Sequence, residues 1–295
     1  MLLDRLTEAG RRVEAGFSTY IAQADIPEPL RGAMLYSLMA GGKRLRPALL
    51  FEAGRLAGAP EDALLPFACA IEMIHTYSLI HDDLPGMDND DLRRGKPTNH
   101  KVYGEGMAIL AGDGLLNRAY EIMLAQTVSA GPEQMVRCAR AAKALADGAG
   151  VLGMIAGQCV DLEAEKREVS AETLDYIDQH KTAALLIAPL LAGAHLGDAG
   201  PDLLAALTSY GREIGVAFQI VDDILDLEGD AAILGKAVGR DQVLGKQTYP
   251  QRYGLEGARR LAGDCIKRAK AALVGLPGDL AFFLELADFI VTRKS

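Results

Sequence analysis

Tryptophan is absent from this sequence, aromatic residues make up only 5% of it, and there are four scattered cysteines. With few large flat side chains, the core must be aliphatic. Ala and Leu dominate over Val, Ile and Thr, a bias that favours helix over sheet. Cys69, Cys138, Cys159 and Cys265 show no metal-ligand spacing and read as free thiols in a reducing cytoplasm. Basic residues are also scarce. The 31 Lys and Arg against 40 Asp and Glu leave a net charge of −9, which argues against nucleic acid or an anionic membrane as the main partner. The opening MLLDRLTEAGRR lacks a basic stretch followed by an apolar one, so no signal peptide is expected. No run of about 18 apolar residues is apparent, so no membrane span is expected. What is present is ordinary globular material: 295 residues, 49% hydrophobic and 24% charged. A prior of about 150 residues per domain suggests two domains, but a single large helical core fits equally.

The chain has no short-period repeat. Helix-period segments alternate with short Gly and Pro breaks, predicting helices near 2–22, 30–40, 46–57, 61–83, 105–127, 132–147, 149–165, 171–195, 201–227, 250–273 and 278–292. Pro132 and Pro201 sit at first helical positions, Ser170 is an N-cap, and Pro189 should kink its helix. No alternating strand stands out. Two long non-helical stretches remain, 84–104 and 228–249, each following an Asp cluster at a helix end. Loops of that length in a compact domain are usually functional or disordered.

The second cluster, FQIVDDILD at 218–226, is the simpler one. Residues four apart on a helix lie about 40° apart, so Asp222 and Asp226 share a face with Asp223 beside them. Such carboxylates repel one another, and a divalent cation relieves the repulsion. Mg²⁺ prefers hard oxygen ligands, commonly one or two carboxylates plus substrate phosphates. In the first cluster, HDDLPGMDNDDLRRGKPTNH at 81–100, Asp82 and Asp83 end an apolar helix and Asp88 follows LPGM. A straight helix would place Asp88 about 240° from Asp82; Pro85 and Gly86 open a turn that can bring it back.

Basic groups accompany the acids. Gly41-Gly42-Lys43-Arg44-Leu45-Arg46-Pro47 is a glycine-led basic turn before a helix, suited to an anion but lacking Walker A spacing. Arg93 and Arg94 follow the first Asp cluster; a diphosphate bridged by Mg²⁺ to carboxylates and by Arg to protein uses both signs at once. Lys181-Thr182 opens an apolar stretch, and Lys236 and Lys246 lie in the second long loop, where they fit either a phosphate-closing lid or a solvated loop. His75 lies two helical turns before Asp82 on nearly the same face, as a site residue or a core histidine.

Together these segments resemble the trans-prenyl diphosphate synthases of the farnesyl and geranylgeranyl diphosphate synthase group, the polyprenyl synthetases. The resemblance runs from about Gly41 to Pro250 through GGKRLRP, DDLPGMDNDDLRRGKPTNH, GQCVDLEAE around Gln158 and Asp161, KT at 181–182, FQIVDDILD and GKAVGRDQVLGKQTYP. It implies one all-α domain over 1–295, about ten core helices around a deep central cavity, usually as a homodimer. It implies that Lys43, Arg46, His75 and Arg94, with the Gly42 turn, hold isopentenyl diphosphate. Asp82, Asp88, Asp222 and Asp226 would engage Mg²⁺, three ions per site with Mn²⁺ as a substitute, assisted by Asp83 and Asp223. Arg93, Lys181, Lys236 and Lys246 would grip the allylic diphosphate, with Thr182 and Gln219 beside the developing cation. Two positions before the first Asp, Tyr77 and Ser78, would line the chain pocket. Tyr77 as a floor, with the LPGM spacer, resembles the bacterial farnesyl diphosphate synthase type, with geranylgeranyl or geranyl diphosphate as alternative products. A terpene cyclase would leave GGKRLRP, His75 and Arg94 without a task, and a non-catalytic regulatory subunit would be expected to lose some of these aspartates or lysines.

Overall fold

The computed structural model describes residues 1–164, 167, 169–228 and 248–293. It is all-α apart from one tiny hairpin. In chain order the helices are α1 (Leu2–Phe17), α2 (Glu28–Leu38), α3 (Leu45–Leu56), α4 (Glu61–Asp82), α5 (Asn99–Tyr103), α6 (Glu105–Ser129), α7 (Pro132–Ala149), α8 (Met154–Ala164), α9 (Ala171–Ile177), α10 (Ala184–Leu196), α11 (Pro201–Glu228), α12 (Tyr249–Ala272) and α13 (Ala281–Thr292). Strands β1 (Leu92–Arg93) and β2 (Lys96–Pro97) pair antiparallel, with Arg93 opposite Lys96. Pro132 and Pro201 start their helices, and Ser170 Oγ accepts the Thr173 N–H at 3.2 Å, as a cap should.

Several expectations need correction. The 84–104 stretch contains the hairpin and α5, which are too short to leave a periodic signal. The expected 171–195 helix is divided by a π-helical turn at Asp178–Ala183, and a second π turn, Ser18–Ala22, ends the first helix. Pro189 lies inside α10, which runs from Ala184 to Leu196 directly after the π turn at 178–183. Two segments do reach membrane-spanning length and hydropathy. They are α4, with 78% of its apolar window buried inside the fold, and 132–164, which a turn at 150–153 divides in two.

The chain forms two compact units. The first is essentially residues 3–144 with 192–198; the second is 145–191 with 199–295. In the first, α4 is the central helix. It is apolar over most of its surface, with Phe67, Ile71, Met73 and Ile74 fully buried, as a helix surrounded by others must be, and it also carries Glu72 and His75. It packs on α3 and α6. In the second, α11 packs along α12 and also against α13 and the 178–183 turn. Tyr210 is fully buried there and donates its hydroxyl to the Phe283 carbonyl at 2.7 Å.

Candidate active site

In the first unit, the turn after α4 folds back on itself. The Asp88 N–H donates to the Asp82 carbonyl at 2.9 Å and the Asp90 N–H to the Asp83 carbonyl at 3.2 Å. LPGM therefore returns Asp88 to the helix end that carries Asp82. The chain then enters the hairpin, whose two central residues, Arg94 (φ 55) and Gly95 (φ 73), both have positive φ. Two-residue hairpin loops favour that conformation because it matches strand twist. Glycine adopts it freely, whereas Arg94 is held there against its own preference.

The hairpin delivers its two arginines to different partners. Arg93 clamps Asp83, with Nε at 2.8 and 2.9 Å from the two carboxylate oxygens and Nη2 at 2.6 Å from Oδ1. Burial opposes the Arg93 charge, yet hydrogen bonding to Asp83 and the charges of Asp83, Asp82 and Asp88 raise its pKa overall. Burial lifts the Asp83 carboxyl above its ordinary value, against the pull of Arg93. Arg94 turns to the glycine-led turn and donates to the Gly41 carbonyl. Gly42 has φ +123, and a Cβ there would lie 2.7 Å from the Arg94 guanidinium carbon, so only glycine admits this contact.

Arg44, not singled out in the sequence, anchors the turn. It is 4% exposed, adopts a left-handed conformation (φ 48), and binds Glu72 at 2.7 Å and Glu14 at 3.2 Å. Glu72 is also buried, and the two charges satisfy one another where either alone would be costly. Arg46 stays charged at neutral pH although burial brings its pKa down to about 10. Burial, then Arg46, Arg94, Arg93 and Arg44, push the His75 pKa well below its usual value. His75 is thus a neutral imidazole among arginines. Lys43 is exposed on the same turn. Tyr77 is buried, its pKa pushed up to about 12 by burial and by Tyr120, and it meets His81 edge-on at 5.8 Å between centroids. Ser78 is half-buried and donates to the His75 carbonyl at 2.8 Å.

The second unit carries its own constellation. The π turn at 178–183 holds Lys181 and Thr182, and two glycines let helices close on it. A Cβ at Gly157 of α8 would lie 2.1 Å from the Lys181 nitrogen, and one at Gly215 of α11 would lie 2.5 Å from Ala183 Cβ. Lys181 Nζ binds Asp161 at 2.6 Å. A hydrogen-bond chain then runs along α11: Thr182 Oγ1 to Gln219 Oε1 at 3.1 Å, and Gln219 Nε2 to Asp223 Oδ1 at 2.9 Å. The Tyr249 N–H donates to Asp223 Oδ2 at 3.0 Å, so both Asp223 oxygens are engaged by protein. Asp226 is buried, while Asp222 is about a third exposed and binds Arg293. Sequence reasoning missed Arg293. It also missed Asp178, buried in the π turn with its pKa well above the ordinary value through desolvation, despite a hydrogen bond from Tyr249. Lys236 and Lys246 lie outside the described residues.

The polyprenyl synthetase family model matches residues 27–273. The chain belongs to the polyprenyl synthetase family. This polyprenyl synthetase is 46% identical over 291 residues to the farnesyl diphosphate synthase of Bacillus subtilis, covering 98% of this chain and 97% of that one. It is 48% identical over 274 residues to the chloroplastic heterodimeric geranylgeranyl pyrophosphate synthase large subunit 1 of Arabidopsis thaliana, covering 91% of this chain and 74% of that one. Among solved structures, the polyprenyl synthase of Caulobacter crescentus, complexed with calcium and isoprenyl diphosphate, superposes with a TM-score of 0.84 at 31% identity, covering 99% and 98% of the two chains.

Among the described residues, no three His, Cys, Asp or Glu side chains converge as a ready-made metal cage. Each of the two helix ends, taken by itself, offers hard carboxylate oxygens, the donor type a divalent cation takes.

Proposed function

We propose that this polyprenyl synthetase joins isopentenyl diphosphate to dimethylallyl or geranyl diphosphate and releases farnesyl diphosphate. The observation that carries this reading is the cluster of Arg46, Arg94 and neutral His75 beside the glycine-led turn. It is an anion site in addition to the aspartates, and a diphosphate cyclase would have no second substrate to place there. The near full-length similarity to a bacterial farnesyl diphosphate synthase supports the same reading, and the family match runs across both compact units, as expected of one catalytic domain.

Asp82, Asp88, Asp222 and Asp226 would hold Mg²⁺, three ions per site, with Mn²⁺ able to substitute. The chemistry such ions would supply there is charge neutralisation of the leaving diphosphate, which would ease cleavage of the allylic C–O bond. Arg93 and Lys181, with Lys236 and Lys246, bind the departing diphosphate. Lys43, Arg46, Arg94 and His75 hold the isopentenyl diphosphate. Gln219 and Thr182 place their dipoles beside the allylic cation. The isopentenyl π electrons form the new C–C bond, and the proton then lost passes to the departing diphosphate. In this reading an apolar pocket around the growing chain would exclude water from the cation. The protein acts as a homodimer in this reading, supported by the exposed Leu110, Leu124 and Val128 of α6; light scattering should give twice the 31.4 kDa chain mass.

The test supplies Mg²⁺, labelled isopentenyl diphosphate and each of dimethylallyl, geranyl and farnesyl diphosphate, and resolves products by chain length. C15 from the two shorter starters, with little use of farnesyl diphosphate, is expected. No incorporation with any starter would sink the reading. The similarity to a geranylgeranyl pyrophosphate synthase subunit favours a second reading, a C20 product. Tyr77 separates the two. As the pocket floor, it should give longer products when replaced in Tyr77→Ala, and an unchanged product length would remove it from the argument.

A further inference from the structure

Arg293 follows α13, and its side chain is only 4% exposed. Three contacts hold it, all on one turn of α11. Its Cζ lies 3.9 Å above the centre of the Phe218 ring, Nη2 donates to the Phe218 carbonyl at 3.0 Å, and the same nitrogen binds Asp222 Oδ1 at 2.5 Å. An exposed ion pair would mean little, since such pairs contribute about 0–1 kcal/mol. Here the cation is buried, and only its carboxylate partner remains partly open to solvent.

Two roles are conceivable for a cation on this aspartate. Arg293 either occupies the metal's place and must leave, or it stays and orients the carboxylate. Departure would break the ring stack and the carbonyl bond as well as the ion pair. The geometry points to the second: Arg293 is a positioning residue that takes one oxygen of Asp222, fixes the side chain, and leaves the other oxygen for the metal. Carboxylates that ligate metals are commonly held in this way, and loss of the holding group typically costs about 10–100-fold in affinity. The inference rests on the metal-binding role proposed for Asp222.

The test is Mn²⁺ binding by the full chain in the presence of inorganic pyrophosphate, followed by electron paramagnetic resonance. Arg293→Ala should weaken binding about 10-fold or more. Arg293→Lys, which keeps the charge but loses the planar stack, should fall between. Phe218→Leu, which removes only the ring, should weaken binding about 3-fold. Circular dichroism shows whether each variant is folded, and Phe218→Leu and Arg293→Lys guard against loss of the alanine variant. Tighter binding by Arg293→Ala would mean that Arg293 is a displaced placeholder and would overturn the proposal, as would unchanged binding. A parent chain that fails to bind Mn²⁺ would instead take down the metal reading itself.

Discussion

The two aspartate clusters solve one electrostatic problem with partners at different distances along the chain. In the first, Asp83 is held by Arg93, ten residues on, through a loop that folds back on its own helix. In the second, Asp223 is held by the Tyr249 amide, 26 residues on, and Asp222 by Arg293, 71 residues on. The first cluster is therefore assembled when α4 and its hairpin form. The second is complete only when α12 and α13 have packed on α11. Local sequence specifies the one, and tertiary packing specifies the other.

The sharpest way to test that contrast is to remove one carboxylate from each side. Asp88→Ala and Asp222→Ala should each lower kcat by about 10³-fold, because each removes charge stabilisation realised as the diphosphate departs. Steady-state kinetics with saturating Mg²⁺ and both substrates reads this, and a variant that altered only KM would withdraw its cluster from the chemical step. Next in size is Arg93→Ala, which strands the buried Asp83. It should destabilise the protein by about 2–3 kcal/mol in urea unfolding, less than for a fully buried pair because the Arg93 side chain is 29% exposed. The double variant Asp83→Asn, Arg93→Gln should recover part of that loss, since neither charge is then stranded. No recovery would mean that the pair is not the local determinant of this cluster.

The smallest effect is a pH dependence confined to the first unit. His75 has a folded pKa well below its unfolded value of 6.5. Below pH 6.5 the unfolded chain therefore binds more protons than the folded one. The stability linked to neutral His75 is complete above that pH and is lost as pH falls toward the folded pKa. Between pH 7 and 5.5 the loss should be about 1 kcal/mol, and His75→Gln should flatten it. An identical slope in the variant would assign the dependence to other groups.

Much of this was legible in the sequence for reasons that the comparison explains. The Ser170 cap, the prolines at 132 and 201, the helix-sharing of Asp222 and Asp226 and the return of Asp88 through Pro85 and Gly86 all depend on neighbours within a few residues. The β1–β2 hairpin was not legible because two-residue strands are too short to alternate. The π turns were not because one wider turn leaves hydrophobic spacing nearly unchanged. Asp178 and Arg293 carried no local signal. One is an acid among many, and the other is a basic residue beyond the matched motifs. Gly157 and Gly215 looked like ordinary helix glycines until the 178–183 turn was seen between their helices.

The missing side chain at Gly112 has a practical consequence for protein engineering. A Cβ there would lie 2.1 Å from His81 Nε2, so α6 gives way to an imidazole projecting from α4. That imidazole also meets the Tyr77 ring edge-on. The room around Tyr77 thus has two adjustable walls, one on each helix. A redesign that enlarges residue 112 must turn His81 and disturb Tyr77 indirectly, whereas one that trims Tyr77 leaves the helix spacing alone. Gly112 and Tyr77 are therefore not interchangeable handles: the first moves a wall by crowding it, the second by emptying it.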